Sequence, residues 1–181
     1  NVILHLVGLT LDNGYVSGNN GGAWKVNNAD AATLVTASNC VFSACKANGG
    51  AAIYIGKNNT LALYDCEIRG NTTLAYEGAV RLYHGSGLIA HRCRFLNNVA
   101  VGNDAGHVIH FSKNSGADNG ACDIRNCLFK GNGDRRASGN NAKALVYGSE
   151  CKASATVVES CTFVGNGDCS GNMLLLPSGA T

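Results

Sequence analysis

Nine cysteines, five histidines and twelve acidic residues are the groups in this 181-residue chain that could do chemistry. Five cysteines fall in one phrase, Cys-x-Phe/Ile: Cys40-Val41-Phe42, Cys66-Glu67-Ile68, Cys93-Arg94-Phe95, Cys127-Leu128-Phe129 and Cys161-Thr162-Phe163. Zinc would need ligands in closely spaced sets. Cys122 and Cys127 are five apart, which puts them on opposite strand faces unless a corner intervenes. His107 and His110 are three apart, again a poor same-face spacing. No metal and no cofactor is expected. Acid–base chemistry would fall to Glu67, His91 and Arg94. A glycoside hydrolase needs two facing carboxylates about 5 to 10 Å apart. Glu67 and Asp123 come nearest to that but belong to different strands. A calcium-dependent lyase would need several clustered carboxylates.

The phrase that carries the cysteines is a repeat. Leu9-Thr10-Leu11 is an earlier copy without the thiol, and the copies follow at intervals of 31, 26, 27, 34 and 34 residues. A fixed unit with a variable loop marks a stacked architecture. Five and three residues before the Cys position stand Leu4/Leu6, Val35/Ala37, Leu61/Leu63, Leu88/Ala90, Cys122/Ile124 and Thr156/Val158. That alternation is the period of a strand with one buried face. Gly8, Asn39, Asp65, Arg92, Asn126 or Ser160 comes next, mostly types suited to a corner. A second short strand follows, with the Cys and the Phe/Ile pointing inward. Three residues beyond stands Asn71, Asn98, Asn132 or Asn166, with Cys45 in the second repeat. A third apolar run closes each unit, beginning at Ala23-Trp24-Lys25-Val26.

These features predict an all-β fold: a single-stranded right-handed parallel β-helix of about six coils, three short strands each, in one domain over 1–181. Equivalent residues then stack about 4.8 Å apart. Cys40, Cys66, Cys93, Cys127 and Cys161 form an inward thiol ladder, where Cys behaves as a small hydrophobe. Phe42, Ile68, Phe95, Phe129 and Phe163 form an apolar ladder. Asn71, Asn98, Asn132 and Asn166 form an amide ladder that passes hydrogen bonds along the rod. Trp24 plugs the core near one end. Cys45, Cys151 and Cys169 sit in or near turns and could pair in an oxidising compartment; connectivity is not readable from sequence.

The outward face gives the binding candidates. One column reads Val7, Ser38, Tyr64, His91, Arg125, Glu159; the next reads Thr10, Val41, Glu67, Arg94, Leu128, Thr162. With Arg69, Arg92 and Asp123 they make a mixed charged strip. It reads either as a glycan-binding strip centred on Tyr64, Glu67, Arg69, His91, Arg94 and Arg125, or as cross-coil pairing of Glu67 with Arg94 and of Arg125 with Glu159. Such surface pairs are each worth under about 1 kcal/mol, and the pairing reading is preferred.

Phe/Ile-x-x-Asn followed by Gly-Gly-Ala-apolar resembles the repeats of chlamydial-type polymorphic outer-membrane proteins. The first half is matched at Ile68-Arg69-Gly70-Asn71, Phe95-Leu96-Asn97-Asn98, Phe129-Lys130-Gly131-Asn132 and Phe163-Val164-Gly165-Asn166. The second is matched at Gly21-Gly22-Ala23-Trp24, and loosely at Gly49-Gly50-Ala51-Ala52 and Glu77-Gly78-Ala79-Val80. The coils are also similar to those of secreted pectate-lyase-like proteins. The first resemblance implies adhesive surface passengers. The second implies polysaccharide chemistry on an outward strand face.

Composition narrows the partners. A net charge of +2 with 14% charged residues is too weak a field to argue for nucleic acid. No apolar run reaches the length of a membrane span. Asn58-Asn59-Thr60 and Asn71-Thr72-Thr73 fit the glycosylation sequon; Asn58, in a turn, is the better acceptor. The chain starts without Met and opens directly in a strand, so it reads as processed or excised from something longer. The expectation is a non-enzymatic extracellular or cell-surface module, acting as a rod, adhesin or filament subunit. Its partners would be copies of itself, further coils of a longer chain, or glycans. The alternative is a polysaccharide-acting lyase or hydrolase. Ice binding ranks low, because no outward column is uniformly Thr.

Overall fold

Short alternating segments, each ended by a residue at positive φ, set the shape of one coil. The corner between the first and second strands is Gly8, Asn39, Asp65, Arg92, Asn126 or Ser160, with φ between 52° and 65°. The corner after the second strand is Asn13, Ala44, Gly70, Asn97, Gly131 or Gly165, with φ between 51° and 65°. Gly, Asn and Asp dominate because other L-residues are strained there. A computed structural model describes residues 4–75, 78–101, 108–112, 120–134, 144–148, 151–167 and 172–178.

Three sheets of six parallel strands wrap one core. The first holds Leu4–Val7, Thr33–Ser38, Asn59–Tyr64, Gly87–His91, Cys122–Arg125 and Thr156–Glu159. The second holds Thr10–Asp12, Val41–Ser43, Glu67–Arg69, Arg94–Leu96, Leu128–Lys130 and Thr162–Val164. The third holds Trp24–Val26, Ile53–Ile55, Val80–Tyr83, Ile109–Ser112, Ala144–Tyr147 and Asn172–Leu175. Every strand pairs with its equivalent one repeat away, and all the pairings are parallel. The register matches the sequence alignment: Leu6↔Ala37↔Leu63↔Ala90↔Ile124↔Val158 in the first sheet.

Two features go beyond the expected three-strand coil. A fourth sheet of two-residue strands, Lys46–Ala47, Thr72–Thr73, Val99–Ala100 and Gly133–Asp134, follows the amide column. Among the described residues one 3-10 turn, Ala153–Ala155, interrupts the strands of the last coils. The positive-φ corner also resolves the Cys122–Cys127 spacing. Asn126 reverses the alternation between them, and both thiols are buried.

The core is built of like upon like. Phe95, Phe129 and Phe163 stack with ring centroids 4.6 and 4.7 Å apart. Trp24 lies parallel to Phe42 at 6.2 Å and is 9% exposed, the plug expected of it. The thiol column is buried from Cys40 to Cys127 and half-buried at Cys161. Each thiol donates weakly to carbonyls: Cys127 Sγ to Arg125 O at 3.2 Å and to Ala90 O of the preceding coil at 3.3 Å. Neighbouring thiols also couple. Hydrogen bonding from Cys161 and Cys93 favours ionisation of Cys127, and that from Cys93 favours Cys66, while Cys93 and Cys161 are pushed up in return. Burial opposes the thiolate at all four, and adjacent members cannot ionise together.

The amide column is fully used. Asn71 Nδ2 donates to Asn98 Oδ1 at 2.9 Å, Asn98 to Asn132 at 2.9 Å and Asn132 to Asn166 at 3.0 Å. The second Nδ2 hydrogens go to Phe42 O, Ile68 O and Phe95 O of the preceding coils. Each Oδ1 also accepts the backbone N–H of the residue one coil before it, as Asn98 Oδ1 does from Asn71 N. Cys45 is a correction to its reading as a turn thiol open to pairing. It is a buried free thiol in the amide column, with its N–H donating to Asn71 Oδ1 at 3.0 Å. Cys151 is likewise buried, and Cys169 lies outside the described residues. Asn71 is corrected as a glycan acceptor. It is 1% exposed and both amide hydrogens are committed, so the sequon there is a by-product of the ladder.

Two predictions follow from these columns. Asn98→Ala strands Asn71 Nδ2 and Asn71 N, removes the side-chain donor to Ile68 O and takes one of the two donors from Asn132 Oδ1. At about 1–3 kcal/mol per buried unsatisfied group, denaturant unfolding should show a loss of at least about 3 kcal/mol. Ala44 is exposed at φ 51°. Relief of a left-handed strain of about 1–2 kcal/mol should make Ala44→Gly stabilising, read as a higher melting temperature, although Gly usually weakens a fold.

Candidate functional site

The charged strip forms where the first two sheets meet at the positive-φ corner. Register places Tyr64 beside His91, and His91 beside Arg125, in the first sheet; Glu67 stands beside Arg94 in the second. All six binding candidates therefore sit on neighbouring coils of one surface. Their charges are spent on each other. Glu67 Oε1 meets Arg69 Nε at 3.1 Å and Glu67 Oε2 meets Arg94 Nη1 at 3.1 Å. Arg125 donates to Asp123 Oδ1 and to Glu159 Oε2, both at 2.6 Å. Arg92 grips Asp65 with two bonds of 2.7 and 2.8 Å.

Four carboxylates thus face four guanidinium groups, and both pairs expected from the sequence are present. Glu67 has each oxygen held by a different arginine. His91 rests edge-on against Tyr64 with centroids 5.7 Å apart. Its Nε2 is 3.2 Å from Asp123 Oδ2 but is buried and off the hydrogen-bond direction, so the contact becomes an ion pair only when the ring is protonated. Among the described residues no group of three or more His, Cys, Asp or Glu is placed to hold a metal ion. His107, proposed above as a poor partner for His110, lies outside the described residues. Asn58 is half-buried at φ 62°, and its Nδ2 donates to Ala29 O at 3.1 Å.

Residues 3–176 match the family described as right handed beta helix region. The chain belongs to that family. No curated protein and no solved structure gives a match to it. Membership in the right-handed β-helix family accounts for the coil and its ladders and leaves the surface chemistry to be read from this chain. No helix among the described residues is long and apolar enough to cross a membrane.

The β-helix carries a second polar face that the sequence reading passed over. In the third sheet the outward column runs Lys25, Tyr54, Arg81, His110, Tyr147, Leu175. Lys25 Nζ is 5.9 Å from the Tyr54 ring centroid, and the Arg81 guanidinium is 5.8 Å from Tyr54 and 5.9 Å from Tyr83. His110 stacks on Tyr147 at 4.7 Å. These third strands scan as apolar runs, which hid the column. The signal was available: Lys25, Tyr54 and Arg81 are the middle residues of their runs, and period two turns them outward.

The Asp65–Arg92 pair makes a pH prediction for the first face. Arg92 holds the Asp65 carboxyl below its ordinary range by stabilising the ionised form. A depressed folded value gives stability that is present above the unfolded value and is lost as pH falls through the folded one. Melting temperature should therefore drop below about pH 4, and Asp65→Asn should flatten part of that drop. An unchanged acid limb in the variant would mean the pair is not coupled to folding.

Proposed function

We propose that this chain is a non-enzymatic extracellular or cell-surface β-helical module, a rigid rod of the adhesin or filament-subunit kind. Its end layers are completed by further coils, either of a longer chain or of another copy. The observation that carries this reading is the state of the outermost described coils. Leu6 and Leu11 at one end, and Cys161, Phe163 and Leu174 at the other, extend the core columns yet are only partly buried. Asn166 uses one amide hydrogen on Phe129 O, where the inner ladder members use two. Another coil would satisfy both needs with the chemistry already repeated inside. The self-paired strip supports the non-enzymatic part, since both Glu67 oxygens are already engaged by arginines of this chain. The surface-passenger resemblance of the Phe/Ile-x-x-Asn and Gly-Gly-Ala motifs supports the location.

The test is light scattering with electron microscopy over a wide range of protein concentration. Rods longer than one chain, growing with concentration, are expected. Strictly monomeric particles at high concentration would remove self-stacking.

A polysaccharide-acting enzyme is the competing reading, favoured by one contact, His91 beside Asp123. Wild-type protein should turn over nothing in a panel of acidic and neutral polysaccharides. Turnover that disappears in Glu67→Gln or His91→Ala would reverse the assignment.

A further inference from the structure

An open depression of about 410 Å³ lies at the head of the third-sheet face, lined by Asn19, Asn20, Lys25, Asn27, Asn28 and Tyr54. No carboxylate is among its described lining residues. The orientation of its amides is fixed by the backbone and by cations. Asn19 Oδ1 accepts the Asn20 N–H at 2.8 Å and Lys25 Nζ at 3.2 Å. Asn28 Oδ1 accepts the Lys57 N–H at 2.8 Å. Asn20 Oδ1 lies 3.5 Å from Arg81 Nη1, and Arg81 is itself steadied by Ser112 Oγ at 3.1 Å.

The consequence is a one-signed wall. Each of those three amides has its acceptor oxygen engaged by a protein donor, so the Nδ2 groups are what remain to offer. The Lys25 ammonium has three protons and spends one on Asn19. Tyr54 has a cation on each neighbouring rung, so its ring acts as a support for Lys25 and Arg81, not as a free stacking platform. Convergent N–H donors around an ammonium recognise an oxyanion. The donors sit on four separate residues of the first coil, on both sides of its third strand, which suits the several terminal oxygens of a sulfate group. The charge is sparse, one ammonium at the wall, in a chain of net charge +2. That favours a polymer with occasional anionic groups over a densely charged polyphosphate.

We propose that this depression binds a sulfate ester group on an extended glycan, with Lys25 and the Nδ2 groups of Asn19, Asn20 and Asn28 as donors and Arg81 as the residue that positions Asn20. The site is on a different face from the charged strip and does not depend on whether the ends of the rod stack.

The experiment is calorimetric titration of the full chain with dextran sulfate oligosaccharides, with unsubstituted dextran and a polyuronate alongside. Saturable binding of the sulfated probe is expected, weakened at least about tenfold by Lys25→Gln, equivalent to about 1.4 kcal/mol. Asn28→Ala should weaken it less. Lys152→Gln removes an equal charge from an exposed position elsewhere and should leave binding unchanged. All three altered residues are at the surface, and matching circular dichroism melts would confirm folding. Competition by inorganic sulfate would support the site. Tighter binding of the polyuronate would keep the oxyanion site but overturn the sulfate assignment. Equal losses in Lys25→Gln and Lys152→Gln would mean diffuse attraction and overturn the site, as would equal binding of plain dextran or none of the sulfated probe.

Discussion

Backbone hydrogen bonds between one coil and the next are the interaction on which the whole molecule depends. A short strand of three or four residues has no internal partner for its N–H and C=O groups, and each buried group left unpaired is costly. Here every sheet strand finds those partners one repeat away, in parallel and in register. The corners obey the same need: Asn39 N donates to Tyr64 O, Asp65 N to His91 O and Arg92 N to Arg125 O. One coil alone therefore has no stable form, and a stack of them does.

Parallel register has a second effect, which is to place each side chain over its own counterpart. A position must then be occupied by residues that tolerate their own kind. Phenylalanine stacks, and a thiol sits under a thiol in an apolar column. Asparagine does more, because its amide has a donor side and an acceptor side that can be passed along the axis. Cys45 shows the limit of that column. It keeps the backbone half of the bonding through its N–H to Asn71 but cannot supply the side-chain half.

The same stacking decides what the surface can do. On the first face, acids and arginines fall beside one another and neutralise in pairs, so a strip of charge becomes a strip of closed contacts. On the third face, cations alternate with aromatic rings. Rings accept a cation without cancelling its charge. Two surfaces of the same rod thus differ in character because of what each column lays next to what.

The sequence by itself determined the repeat, the inward columns, the corners and the neighbours of the outward residues on the first two sheets. Those are local matters: period-two alternation, a left-handed corner residue, and a count of residues from the cysteine. Glu67 beside Arg94, and Arg125 beside Glu159, were legible for that reason. Tertiary structure alone decided how completely each column is buried and where loops converge. Cys45, already aligned with the Asn column by its count from Phe42, is shown by the fold to be a buried free thiol whose N–H donates to Asn71 Oδ1. Asn19, Asn20 and Asn28 read as turn residues in the sequence. They become a donor wall only when Lys25, Lys57 and Arg81, up to 61 residues away, engage their oxygens. No spacing rule carries that information, since it depends on how a loop of one coil lies against a strand two coils on.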